Sequence, residues 1–220
     1  TRPLRANSDL FYLTGVEQEE SILVLCPQAD DEKQREILFL REPNPLLETW
    51  EGHKLGKEEA QRLTGIQQVH WLGDFPRIFH RLMCECDRVY LNTNEHKRAV
   101  VEVETRDARF VAECQRRYPL HRYERLARLM HQLRIVKSPI EIGILRQACA
   151  LTERGVRRVL RFVRPGVTET EVEAEFAHEF IRGRGQFAYP PIIATGGNAC
   201  VLHYLENSAT CRDGELLLLD

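Results

Sequence analysis

The sequence predicts an α/β domain over residues 1–120 and an α+β domain over residues 138–220, joined through a connecting helix and linker at 121–137. Three observations predict this. Short apolar runs alternate with helical stretches in the first half, the pattern of a sheet with flanking helices. Two amphipathic helices with strong start signals open the second half. Two short strands follow them, the last closing on Asp220.

In the first half, residues 21–26 (Ser-Ile-Leu-Val-Leu-Cys) and 37–40 (Ile-Leu-Phe-Leu) are continuous apolar runs of strand length, suited to burial. The polar stretch 28–36 between them reads as a hairpin-like loop, and 88–91 is a third strand. Helices are predicted over 57–63, 77–84, 104–118 and 124–133.

The second half has clearer punctuation. Ser138, Pro139 and Glu141 form a capping box with proline at the first helical position. Ile142, Leu145, Cys149, Thr152, Val156, Val159 and Val163 then make one stripe about six turns long. Pro165 and Gly166 stop it. Thr168 and Glu171 form a second capping box, followed by Val172, Phe176 and Phe180 on one face, and Gly183 and Gly185 end that helix. The final stretch reads as a glycine turn, a short strand carrying His203, a polar loop, a turn at Asp213 and Gly214, and a strand of four leucines, Leu216 to Leu219.

Composition narrows the function. Thirty-one basic against 33 acidic side chains leave a net charge of -2, which gives no bias toward nucleic acid or a membrane surface. No apolar run approaches the roughly 20 residues of a membrane span. Residues 101–164 hold 15 basic and 7 acidic side chains, but Arg154, Arg157, Arg158 and Arg161 lie opposite the apolar stripe and read as a solvated face. Seven cysteines without a close, even framework indicate a reducing compartment. Cys84 and Cys86 lack the second ligand arm that a zinc site needs. His178 and Glu179 have no second histidine four residues on, so they are read as packing or helix surface. The chain opens on Thr1, and residues 2–8 read as the interior of a longer sequence.

The chemistry concentrates at the end. A carboxylate closing an apolar run is costly unless a cation or donor meets it, so Asp220 is read as aimed at a metal ion, with His203 near it. Each has a bland reading too, His203 as a core histidine with one hydrogen bond and Asp220 as a turn residue after a strand.

Six motifs occur in order: Asn7-Ser-Asp-Leu-Phe-Tyr-Leu-Thr-Gly15, Glu48-Thr-Trp-Glu-Gly-His-Lys-Leu-Gly56, Leu133-Arg-Ile-Val-Lys-Ser-Pro-Ile-Glu-Ile142, Gly185-Gln-Phe-Ala-Tyr-Pro-Pro-Ile-Ile193, Leu202-His-Tyr204 and Asp213-Gly-Glu-Leu-Leu-Leu-Leu-Asp220. Together they resemble the Xaa-Pro aminopeptidases (aminopeptidase P) of the creatinase/prolidase/methionine aminopeptidase superfamily. The resemblance implies a creatinase/prolidase-like α/β N-terminal domain and the first part of an α+β pita-bread domain. It implies two divalent metal ions, usually manganese, and removal of an N-terminal residue from a peptide with proline second. It also implies a homo-oligomer, while the cysteines and the charge balance read as a cytoplasmic protein with no nucleic-acid or membrane partner.

On that resemblance Asp220 matches a metal ligand. His203 matches the catalytic histidine that binds substrate at the proline side and assists the tetrahedral intermediate. Trp50 matches a substrate-lining aromatic used across an oligomer interface. The family's second aspartate, later histidine and two glutamates are expected beyond Asp220. Since one aspartate cannot hold two ions, these 220 residues are expected to be an inactive part of an active parent. Two other readings are a non-catalytic pita-bread binding module and a sibling enzyme such as prolidase or creatinase. The second domain is further expected to be incomplete, with Leu216–Leu219 exposed and little amide protection over 192–219.

Overall fold

In the computed structural model, which describes residues 5–93 and 102–220, the apolar run at 37–40 becomes the middle strand of a sheet. Strand β1 (Ile22–Leu25) pairs antiparallel with β2 (Glu36–Leu40), and β3 (Gln68–Trp71) lies parallel on its other side. Alternation along β2 sends Leu38 and Leu40 to one face, with Val16, Ala60, Ile66 and Val69. Ile37 and Phe39 go to the other, with Ile78 and Leu82. The continuous apolar run thus has its physical reason: both faces of β2 are covered. Helix α1 (Ser8–Thr14) precedes the sheet, and α2 (Pro45–Glu51) and α3 (Lys57–Thr64) make the crossover to β3. Helix α3 supplies Ala60, while α4 (Phe75–Glu85) supplies Ile78 and Leu82.

Strand β4 (Arg88–Leu91) is followed by α5 (Arg106–Arg117), β5 (Arg122–Arg125) and α6 (Leu126–Ile135). β4 and β5 pair in parallel, Arg88 opposite Arg122. The stretch 121–137 was expected to link two domains, but most of it belongs to the first unit. The chain divides into Thr1–Ile135 and Val136–Asp220. The reason is the backbone ladder that ties β5 to β4, together with Arg134 of α6, which pairs with Asp9 in α1 and lies over the Tyr12 ring.

The second unit opens with α7 (Pro139–Phe162) and α8 (Glu169–Arg182), each started by its capping box. The Ser138 and Thr168 hydroxyls accept from the N–H groups of Glu141 and Glu171, whose carboxylates accept in return from the cap N–H groups. Val159, Val172 and Phe176 fill the seam between the helices, and Gly155 lets the Phe176 ring approach the α7 backbone. Only the later part of the predicted stripe is buried. At 24 residues α7 runs about 36 Å, against about 21 Å for the 14 residues of α8. Ile142, Leu145, Cys149 and Thr152 therefore stay exposed. Nor are the arginines wholly a solvated face. Arg158 reaches across to Glu175 and Glu179 on α8, and Arg154 to Glu179.

Strands β6 (Ile193–Thr195) and β7 (Leu217–Leu219) pair antiparallel against the two helices, with Leu217 and Leu219 turned toward Val159, Phe176 and Ile193. Leu216 lies outside β7 and is exposed. The cysteines are free thiols, and burial pushes the Cys114 thiol up to about 11. No helix among the described residues is long and apolar enough to cross a membrane.

Candidate active site

Asp220 follows the last residue of β7 and is held as a ladder rung. Its N–H donates to the Ile192 carbonyl at 3.0 Å, and its carbonyl accepts from the Ile192 N–H at 2.7 Å. The carboxylate points away from this ladder and is exposed to solvent. One oxygen, Oδ1, accepts from the Tyr189 hydroxyl at 2.6 Å. That bond holds the Tyr189 phenol above its usual range, because losing the proton would set two anions together. The group that meets the Asp220 carboxylate in this structure is thus a tyrosine hydroxyl, whereas the sequence reading looked to a metal ion. Tyr189 belongs to the Ala-Tyr-Pro-Pro motif, but periodicity gave no reason to single it out.

His203 does not lie on a strand. After β6 the chain makes a 3-10 turn over Gly196–Cys200 and a further turn at Leu202 and His203. The reason lies one residue on: Tyr204 turns inward, against Ile192, Ala194 and Ala199, leaving Val201, Leu202 and His203 exposed. From there the chain returns along β6 on the edge opposite β7. Asn207 closes that edge, its side chain accepting from the Ile193 N–H at 2.9 Å and donating to the Pro191 carbonyl at 3.0 Å. The segment that follows His203 therefore returns to the end of β6 where Ile192 pairs with Asp220, and both candidate residues belong to the second unit.

What fastens this segment is Glu169, the first residue of α8, which is 0% exposed. Oε1 accepts from the Thr195 N–H at 2.7 Å and the Asn198 amide at 3.3 Å. Oε2 accepts from the Tyr204 hydroxyl at 2.7 Å and the Ala209 N–H at 2.9 Å. Burial opposes ionisation of Glu169, but these donors outweigh it and hold the carboxyl below the usual carboxylate range. The capping-box reading of Thr168 and Glu171 passed over it, since nothing local marks a glutamate whose partners lie 26 to 40 residues away.

Trp50 lies in the first unit, on α2, with 88% of its surface exposed. No three His, Cys, Asp or Glu side chains converge among the described residues. Asp220 suits a metal as a single oxygen ligand, with Oδ2 not engaged by Tyr189, and carboxylates suit manganese. Two ions demand more ligands than this.

Known proteins match both units. Residues 1–90 match the model of the aminopeptidase P N-terminal domain, and residues 143–220 that of metallopeptidase family M24. The chain is 33% identical to the Xaa-Pro aminopeptidase of Haemophilus influenzae over 100% of its length and 49% of that protein's. It is 32% identical to the Escherichia coli Xaa-Pro aminopeptidase, covering 99% of this chain and 50% of that one. Among solved structures, the Pseudomonas aeruginosa aminopeptidase PepP superposes with a TM-score of 0.82 at 33% identity, over 98% of this chain and 49% of that one. The chain spans about half the length of the curated relatives it matches. The chain joins an aminopeptidase P N-terminal domain to the start of an M24 pita-bread domain.

Proposed function

We propose that this chain forms part of a metal-dependent aminopeptidase that removes an N-terminal residue preceding proline. The observation that carries the reading is Asp220, an exposed carboxylate fixed by the Ile192 rung and the Tyr189 hydroxyl, in the unit that also carries an exposed His203. Asp220 serves as one ligand of a pair of divalent ions, manganese by preference, and the remaining ligands come from outside these 220 residues. When bound, such ions would polarise the scissile carbonyl and lower the pKa of a bound water, making hydroxide available as the nucleophile. His203 meets the substrate on the proline side and donates a hydrogen bond to the developing tetrahedral intermediate. Exposed Trp50 on α2 supports a homo-oligomer in which it lines a neighbouring site. The seven free thiols support a reducing compartment, the cytoplasm.

Hydrolysis of Xaa-Pro peptides by the full-length enzyme with added manganese decides the matter. Asp220→Ala abolishes turnover and lowers bound metal, while His203→Ala slows turnover by roughly 10² to 10⁴ with metal content kept. Undiminished turnover of the Asp220 variant at saturating metal removes Asp220 from the site, and metal loss in the His203 variant removes the substrate role. The 220-residue chain alone is inactive.

A further inference from the structure

We propose that Glu169 is a positioning residue for His203, an inference that rests on the catalytic role given to His203 above. His203 is exposed, and among the described residues its ring has no hydrogen-bonding partner. What the protein fixes is therefore the backbone on either side, and with it the point and direction at which the side chain leaves the turn. Both sides are tied to the Glu169 carboxylate. Upstream, Thr195 donates to Oε1 through its N–H and Asn198 through its side chain, and Asn198 in turn accepts at its carbonyl from the Val201 N–H. Downstream, the hydroxyl of Tyr204, the very next residue, donates to Oε2, and so does the Ala209 N–H. The Glu169 N–H donates to the Ala209 carbonyl, so side chain and main chain clasp the returning segment together.

A charged carboxylate suits this role and an amide does not. All four partners donate, so both oxygens must accept. Gln at this position would turn an NH2 toward either the Thr195 or the Ala209 N–H, and that main-chain donor, which cannot reverse its role, would lose its acceptor in a buried site. The carboxylate also sits at the first turn of α8, where the helix favours negative charge. Glu169 touches no reacting atom in this scheme. It acts by holding the turn that aims the imidazole, and displacements of that kind cost rate steeply.

A double-mutant cycle in the full-length enzyme separates aiming from mere folding. Glu169→Gln is expected to lower kcat/KM for an Xaa-Pro peptide roughly tenfold or more, mostly in kcat and with bound manganese unchanged. In a His203→Ala background the same substitution is expected to cost less than about twofold, because there is no imidazole left to aim. Tyr204→Phe removes one hydroxyl beside His203 with little risk to folding and should follow the same pattern at smaller size. Equal losses in both backgrounds, or no loss for either variant, overturn the proposal. A wild-type enzyme without Xaa-Pro hydrolysis strikes down the functional reading alone. The anchor is then read in the 220-residue chain, where Glu169→Gln should speed amide exchange over 196–209 while leaving α7 unchanged. Unaltered exchange there overturns the anchor itself.

Discussion

β2 and β7 carry the same signal, an unbroken run of large aliphatic side chains, and meet different fates. Residues 37–40 of β2 are at most 2% exposed, flanked by β1 and β3 and covered on both faces. Among the described residues β7 has β6 alone beside it; Leu217 and Leu219 face the helices, while Leu218 is 38% and Leu216 82% exposed. An apolar run reports the burial a strand is built for, and these residues complete that burial only for β2.

Amide exchange should show the widest gap. Ile37, Leu38 and Phe39 each lie between paired residues of β1 and β3, so their amides are expected to exchange only through opening of the whole first unit, slowed on the order of 10³-fold or more. β7 should alternate. Asp220 bonds to Ile192, and the antiparallel pattern repeats at Leu218, whereas the N–H groups of Leu217 and Leu219 point away from β6 and should exchange near the free rate. Uniform slow exchange along β7 would show a neighbour on its open edge and end the contrast. The expectation of little protection over 192–219 narrows accordingly to β7, since Ile193 and Ala194 are wholly buried.

Truncation is the next lever. Phe39→Ala should cost about 3–5 kcal/mol, since Phe39 is 0% exposed and meets Phe75 edge-on at 5.2 Å. Leu218→Ala should cost under about 1 kcal/mol in chemical denaturation, as for a surface change. Comparable losses would mean that β7 is buried after all.

The seam between α7 and α8 offers a smaller test of how well the second unit closes its own core. A Cβ at Gly155 would come within 2.6 Å of the Phe176 ring. Gly155→Ala should therefore destabilise by about 1–2 kcal/mol despite alanine's better helix propensity. A stabilised variant would reveal a loose seam.

Acid is the mildest perturbation. The Glu169 carboxyl titrates lower in the folded chain than its ordinary value of 4.5, so its contribution is complete above pH 4.5 and is lost as pH falls through the lowered value. Amides of Thr195 and Ala209 should lose protection in that acid window ahead of β2, and Glu169→Gln should remove the pH dependence.

Much of this fold could be read from local pattern. Both capping boxes and β2 were legible because their causes lie within a few residues. β3 and β5 were not, since Gln68-Val-His-Trp71 and Arg122-Tyr-Glu-Arg125 are strands through pairing with β2 and β4 rather than through apolar content. At the site, Asp220 stood out as a charge ending an apolar strand, although the carboxylate is exposed rather than buried. The turn at His203 was not legible, because it depends on where the Tyr204 hydroxyl finds an acceptor. Glu169 was hidden for the same reason: its role exists only once distant segments meet.

The rung between Ile192 and Asp220 has a consequence for the thermodynamics of any ion that Asp220 receives. A ligand on a free chain must surrender backbone freedom at the moment of binding, about 1–2 kcal/mol for each residue fixed. Asp220 has surrendered it already, through two main-chain bonds of 2.7 and 3.0 Å, and Tyr189 narrows what is left to its side chain. The ordering entropy is charged to folding, so binding at this carboxylate should depend on the heat of coordination and the release of water, with little conformational penalty.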